Sequence, residues 1–245
     1  ALKMRNANAL FFWEVYMKKN FLSYFSKGEL ALWLGSVIVT VVSHFKSPSG
    51  GTLSLAASLI GVTALIFNAK GNPTGPALMV IFALLYGYIS FGFAYYGEML
   101  TYVCMSMPMA VFSFVSWLKN PYKGNKAEVT VNFNVSKAEY AVMCILTVLV
   151  TAVFYLILKY LNTANLIWST ASVTTSFVAV YLSAKRSPLF AIGYAANDVV
   201  LIVLWSLAAM HDISYLSVVI CFAAFLANDL YSFVNWQRIG KRQTA

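Results

Sequence analysis

Charge is the first thing this chain is short of. Of its 245 residues only 10% are charged and 60% are hydrophobic, where an ordinary soluble domain carries about 25% charged residues. That excludes a soluble globular fold and points to a polytopic membrane protein whose spans pack into one bundle. Cysteine is scarce as well. Cys104, Cys144 and Cys221 lie inside apolar runs, where they act as small buried hydrophobes, and their spacing gives neither a disulfide framework nor a metal site. The two histidines, His44 and His211, fall at turns and are too few for a buried metal cluster. There is no Walker loop, no glycine-rich dinucleotide turn, no G-x-S-x-G elbow and no mid-span lysine for a Schiff base. The chain is therefore expected to have no cofactor and not to be an enzyme, which leaves transport as the default. A cleavable leader is not expected either, since the first long apolar run starts near Leu30 with no A-x-A site after it.

What is present is a series of apolar runs. Eight are expected to cross the membrane: Glu29–Phe45, Leu53–Ala69, Pro76–Tyr96, Met99–Leu118, Ala138–Tyr160, Leu166–Ala184, Pro188–Met210 and Ile213–Trp236. Most connections are tight, and only Lys119–Lys137 makes a longer loop. Residues 8–27 mix aromatics with Lys18, Lys19 and Lys27 and read as an amphipathic segment on the membrane surface. The expected organisation is thus an N-terminal amphipathic segment, 1–28, and a single transmembrane domain, 29–245. The net charge of +9 is spread over many short loops with no RNA-binding signature, so nucleic acid is not a partner. With the N-terminus inside, 15 of the 17 lysines and arginines fall on inner segments and only Lys46 and Lys159 outside. The positive-inside rule then puts both termini in the cytoplasm.

An internal repeat organises these runs. Asn68–Pro73 reads NAKGNP and Ser183–Pro188 reads SAKRSP, 115 residues later, while Val115-Ser-Trp117 resembles Val234-Asn-Trp236. Spans two to four (about 53–118) would match spans six to eight (about 166–236), joined by a linker span at about 138–160. One joining span gives both three-helix units the same orientation, and transporters built this way often bind substrate between the repeats near the midplane.

The polar residues point to the second repeat. In Ser187–Trp205, SPLFAIGYAANDVVLIVLW, residues Tyr194, Asn197, Asp198, Leu201 and Trp205 share one helical face. Such a stripe must face protein or water, and it is read as one wall of a substrate path. Asp198, about 15 Å into the span, is either a substrate counter-ion or a neutral group tying helices together. In the last span Asn228 and Asp229 stand near Ser232, Asn235 and Trp236, where binding, gating and helix packing compete. Trp168, Ser172 and Thr175 share a face of span six; small hydroxyl residues there commonly serve packing, and Trp168 also suits an interfacial belt. Tyr86, Tyr88 and Ser90 decorate span three. The offset of 115 maps Asn197, Asp198 and Trp205 onto Phe82, Ala83 and Ser90, so any site is asymmetric. Glu98, His211 and Asp212 read as solvated residues of outer turns.

The run AKRSPLFAIGYAANDVVLIVLW, followed by a turn and an apolar helix ending in NW and basic residues, resembles the PnuC nicotinamide riboside transporters. LLYGYISFGFAYYGEMLTYV in the first repeat is similar too, and the resemblance covers roughly Leu53 to Arg242. It implies a SWEET-like arrangement of three helices, a linker helix and three helices, with an extra N-terminal span. It further implies a homotrimer in the bacterial inner membrane that passes nicotinamide riboside by facilitated diffusion. Related members carry thiamine or riboflavin, so another vitamin or a sugar, with or without proton coupling, is the alternative. The family places an aromatic residue four positions before its span-seven Asp or Asn, which Tyr194 and Asp198 match. Where many members have tryptophan at the start of that helix, this chain has Leu189 and Phe190. The substrate-binding residues expected are Tyr194, Asn197, Asp198, Trp205, Asn228, Asp229, Trp168, Thr175, Tyr86 and Ser90.

Overall fold

The computed structural model describes residues 24–46, 51–92 and 96–245, without the side chains of 214 and 217. The amphipathic reading of residues 8–27 falls mostly outside them. The chain divides into two compact units, Ala1–Gly35 and Ser36–Ala245.

Helix α1, Lys27–Lys46, begins in the first unit and continues into the second. Its start is fixed by a capping box: the Ser26 amide donates to Glu29 Oε2 at 2.7 Å, and the Glu29 amide donates to Ser26 Oγ. The second unit continues with α2 (Gly51–Ala69), α3 (Thr74–Gly92), α4 (Tyr96–Lys119), α5 (Lys137–Tyr160), α6 (Leu166–Ala184), α7 (Leu189–Ala209) and α8 (Leu216–Thr244). Eight helices among the described residues are long and apolar enough to cross a membrane. Apolar side chains left exposed along α5, including Ile145, Val148, Leu149 and Leu156, are what a membrane-embedded surface requires.

The packing of the second unit is reciprocal. Helix α3 packs on α2 and α4, and α7 packs on α6 and α8; the outer helices then cross over, α8 against α2 and α4 against α6, while α5 lies on α6. The turns after α2 and α6 are built alike. Asn72 N–H donates to Phe67 O and Gly71 N–H to Asn68 O; 115 residues later Ser187 N–H donates to Leu182 O and Arg186 N–H to Ser183 O. This pair of bonds is the Schellman ending of a helix, which needs a left-handed residue just past the cap. Gly71 supplies it at φ 64° and Arg186 at φ 60°.

Two tryptophans fasten these turns. Trp117 of α4 donates its indole N–H to Ser183 O at 2.8 Å, and the neighbouring Ser116 hydroxyl donates to Ala184 O. Trp236 of α8 donates to Asn68 O at 2.7 Å, and Asn235 donates to Ala69 O. Both rings are fully buried and meet Phe190, which is itself buried, in the main core cluster.

The connection between α4 and α5 departs from the all-helical reading. It contains a two-stranded hairpin, β1 (Pro121–Tyr122) and β2 (Asn125–Val129), turned by Lys123 and Gly124, both at positive φ, as a two-residue hairpin loop demands. From there the chain reaches both repeat turns: Val129 N–H donates to Gly71 O and Asn132 N–H to Arg186 O, each at 2.9 Å. Gln243 bonds the same segment, donating to Val129 O and accepting from Val131 N–H. This explains why α8 runs on to Thr244, past the apolar run that ends at Trp236. A capping box of Ser136 and Glu139 then starts α5.

Candidate functional site

A cavity of about 710 Å³ lies within the second unit, inside the range usual for small-molecule sites. Helices α1, α2, α3, α4, α6, α7 and α8 all contribute to its wall. The α7 stripe is on that wall complete: Tyr194, Asn197, Asp198, Leu201 and Trp205 all line the cavity. A 3.6-residue period repeats a face at these intervals, and the surrounding apolar positions let the opposite side pack.

Asn197 is held by the hydroxyls of α6. Its Oδ1 accepts from Ser172 at 3.3 Å, Thr175 at 2.9 Å and Ser176 at 3.0 Å. With the carbonyl end occupied, the amide N–H groups are the end left for a ligand acceptor. Thr175 is not on the wall; it stands behind Asn197 and also bonds Ala171 O.

Asp198 of α7 and Asp229 of α8 are neighbouring buried carboxyl groups. Asp198 is 4% exposed and Asp229 2%, and Asp198 Oδ2 has no protein partner. Asn228, next in the chain, is 1% exposed and off the wall. It donates to Ser36 Oγ and Ala224 O, tying α8 to α1.

Trp205 pairs with Tyr215, ring centroids 5.4 Å apart, and both line the cavity. Tyr86 of α3 lines it as well, within hydrogen-bonding distance of Ser58 Oγ at 3.3 Å and in ring contact with Phe82 and Tyr102 at 4.6 and 5.3 Å. Ser90 is buried off the wall, with its hydroxyl against Glu98. Trp168 is 39% exposed and also stands off the wall.

Two wall residues escaped the sequence reading. Glu98 is not a solvated turn residue but belongs to the first turn of α4 and lines the cavity. Tyr102 follows on a π-helical turn, Thr101–Ser106. Pro108 lies just beyond; lacking an N–H, it cannot complete the α-helical bond to the carbonyl four residues back, and the widened turn absorbs the defect. A 3.6-residue period cannot anticipate that change of face. The Pro within an apolar run was the available signal.

Among the described residues the wall carries three carboxyl groups, Glu98, Asp198 and Asp229, and no lysine or arginine; it also carries the imidazoles of His44 and His211. No cluster of metal-ligating side chains is found among the described residues.

Residues 51–238 match the family described as nicotinamide mononucleotide transporter. The chain belongs to that family. Within the nicotinamide mononucleotide transporter family it is similar to the nicotinamide riboside transporter PnuC of Neisseria mucosa, at 26% identity over 91% of this chain and 84% of the relative. The PnuC of Haemophilus influenzae is 21% identical over 92% of this chain and 96% of the relative. A crystal structure of the vitamin B3 transporter PnuC shares the fold, with a TM-score of 0.75, 23% identity and coverage of 89% of this chain and 94% of that one. Membership in this transporter family and eight apolar helices make the chain a multi-pass membrane transporter rather than an enzyme.

Proposed function

We propose that this transporter carries nicotinamide riboside across the bacterial inner membrane by facilitated diffusion, binding it in the cavity bounded by α7 and α8. One observation supports the choice above the others: in a protein of net charge +9, the described residues that line the cavity include three carboxyl groups and no lysine or arginine. Nicotinamide riboside is a flat pyridinium cation with a carboxamide and a ribose. Its ring would stack on Trp205, Tyr215 or Tyr86, a contact worth about 2 kcal/mol when desolvated. Asp198 and Asp229 would balance the positive charge, and the Asn197 amide would meet the carboxamide or ribose oxygens.

The family's description names the mononucleotide, the curated relatives the riboside. The wall decides between them here. A phosphate brings negative charge toward three carboxyl groups with no lysine or arginine among the described wall residues to receive it, which is the repulsive element that specificity needs. Thiamine is also a flat cation and is the second reading on the same chemistry. The reciprocal packing of α2–α4 and α6–α8 supports two parallel three-helix units joined by α5, with α1 additional. The spread of basic residues supports cytoplasmic termini. A homotrimer completes the proposal and is open to mass determination in detergent.

The test is titration calorimetry of the purified protein with nicotinamide riboside, nicotinamide mononucleotide and thiamine, followed by efflux from loaded liposomes. Riboside binding with riboside release is expected. Absence of riboside binding sinks the reading, and tighter thiamine binding replaces it with the second one.

A further inference from the structure

We propose that Glu98 is a second cation-recognising station on the transport path, on α4, separate from the Asp198–Asp229 pair on α7 and α8. The inference rests on the cationic substrate class proposed above and adds a carboxylate on a different helix.

The position of Glu98 is built rather than incidental. Gly97 beside it is buried so closely that a Cβ there would stand 2.8 Å from Leu158 Cδ2 and 2.9 Å from Thr163 Oγ1. The first turn of α4 is therefore pressed onto the end of α5 and the α5–α6 connection, and a larger residue there would require those side chains to shift. The Thr101 hydroxyl donates to Gly97 O at 3.0 Å and holds the turn closed. Glu98 is half-buried and bonds the hydroxyl of Ser90. Among the described residues no lysine or arginine pairs with it.

The surroundings supply what a flat organic cation lacks elsewhere. Tyr86 and Tyr102 lie within electrostatic reach of Glu98 and close to each other, and all three line the cavity. Tyr102 owes its place to the π-helical turn, a device often found at functional sites. Aromatic faces and an unpaired carboxylate attract a cation through the same sign of field, one by its quadrupole and the other by its charge. A carboxylate in a membrane span without a lysine or arginine partner is costly and marks an ion or substrate path.

Glu98 stands at the first turn of α4, where the cavity is also lined by Asn162 and Thr163, whereas Asp198 is ten residues into α7. A cation entering from the α5–α6 connection meets Glu98 first and the aspartates afterwards. Two stations divide the path into steps, so neither has to bind so tightly that release becomes slow.

Glu98→Gln preserves shape and the bond to Ser90 while removing the charge. The probes are nicotinamide riboside and its dihydro form, which has nearly the same outline but an uncharged ring. In liposome uptake the variant should raise the KM for the cationic riboside about tenfold and leave that for the neutral form unchanged. Glu98→Asp should restore most of the difference. The proposal is overturned if Glu98→Gln transports the cation like the parent, or if it loses both probes by the same factor, which marks a packing role. If the parent protein itself takes up neither probe, the riboside reading has failed, and this inference falls with it.

Discussion

Trp117 and Trp236 meet with their ring centroids 5.1 Å apart, and each donates its indole N–H to the end of another helix, Trp117 to that of α6 and Trp236 to that of α2. The bonds cross over: α4 fastens the end of α6, and α8 fastens the end of α2. Each indole adds a second donor to a helix-end carbonyl that already accepts a backbone N–H within its turn. Replacing either by phenylalanine keeps the ring but removes one of the bonds to that carbonyl, at a cost of about 0.5–1.5 kcal/mol. Trp117→Phe and Trp236→Phe should therefore lower the detergent-solubilised melting temperature by similar amounts. A large effect at one position and none at the other would show that the two fastenings are not equivalent.

The left-handed residue of each turn gives a second test. Gly71 adopts φ 64°, and a Cβ there would lie 3.3 Å from Val129 Cγ1. Gly71→Ala should destabilise the protein by about 1–2 kcal/mol from backbone strain alone. Arg186 holds the same conformation with a full side chain, so Arg186→Gly should relieve strain and lose little. Thermal melting of both variants compares them directly, and equal destabilisation would contradict the argument.

These features also show what was readable in advance. Length and hydropathy located the eight helices, and Leu166–Ala184 has the same limits in both readings. The polar face of α7 was visible because all of it lies on one helix at a fixed period. Glu98 was not, because its exposure depends on how Gly97 packs against a distant connection and on a π-helical turn. Nor was the route of the Lys119–Lys137 segment, whose bonds to Gly71, Arg186 and Gln243 join residues up to 115 positions apart. Local patterning records a face; it does not record what that face meets.

Asp198 and Asp229 are neighbouring buried carboxyl groups, with one oxygen of Asp198 unpartnered. A fold gains nothing from an orphaned acidic oxygen, so its retention is better explained by ligand binding. Asp198→Asn should weaken riboside binding at least tenfold by calorimetry while leaving the melting temperature unchanged or higher. A variant that loses stability together with binding would instead assign Asp198 a structural role.

The hydroxyls behind Asn197 invite a more indirect test. Thr175 lines no part of the cavity, yet its 2.9 Å bond to Asn197 Oδ1 helps fix which end of the amide faces the ligand. Thr175→Val keeps the shape and removes the bond, at about 0.5–1.5 kcal/mol. Riboside affinity should fall by roughly three- to tenfold, the equivalent of that energy, without any loss of direct ligand contact. Ser172→Ala, whose bond is longer at 3.3 Å, should do less. Combining Thr175→Val with Asn197→Ala should then add little to Asn197→Ala alone, because the hydroxyl acts through the amide. Full additivity of the two would mean that Thr175 contributes to the site independently of Asn197.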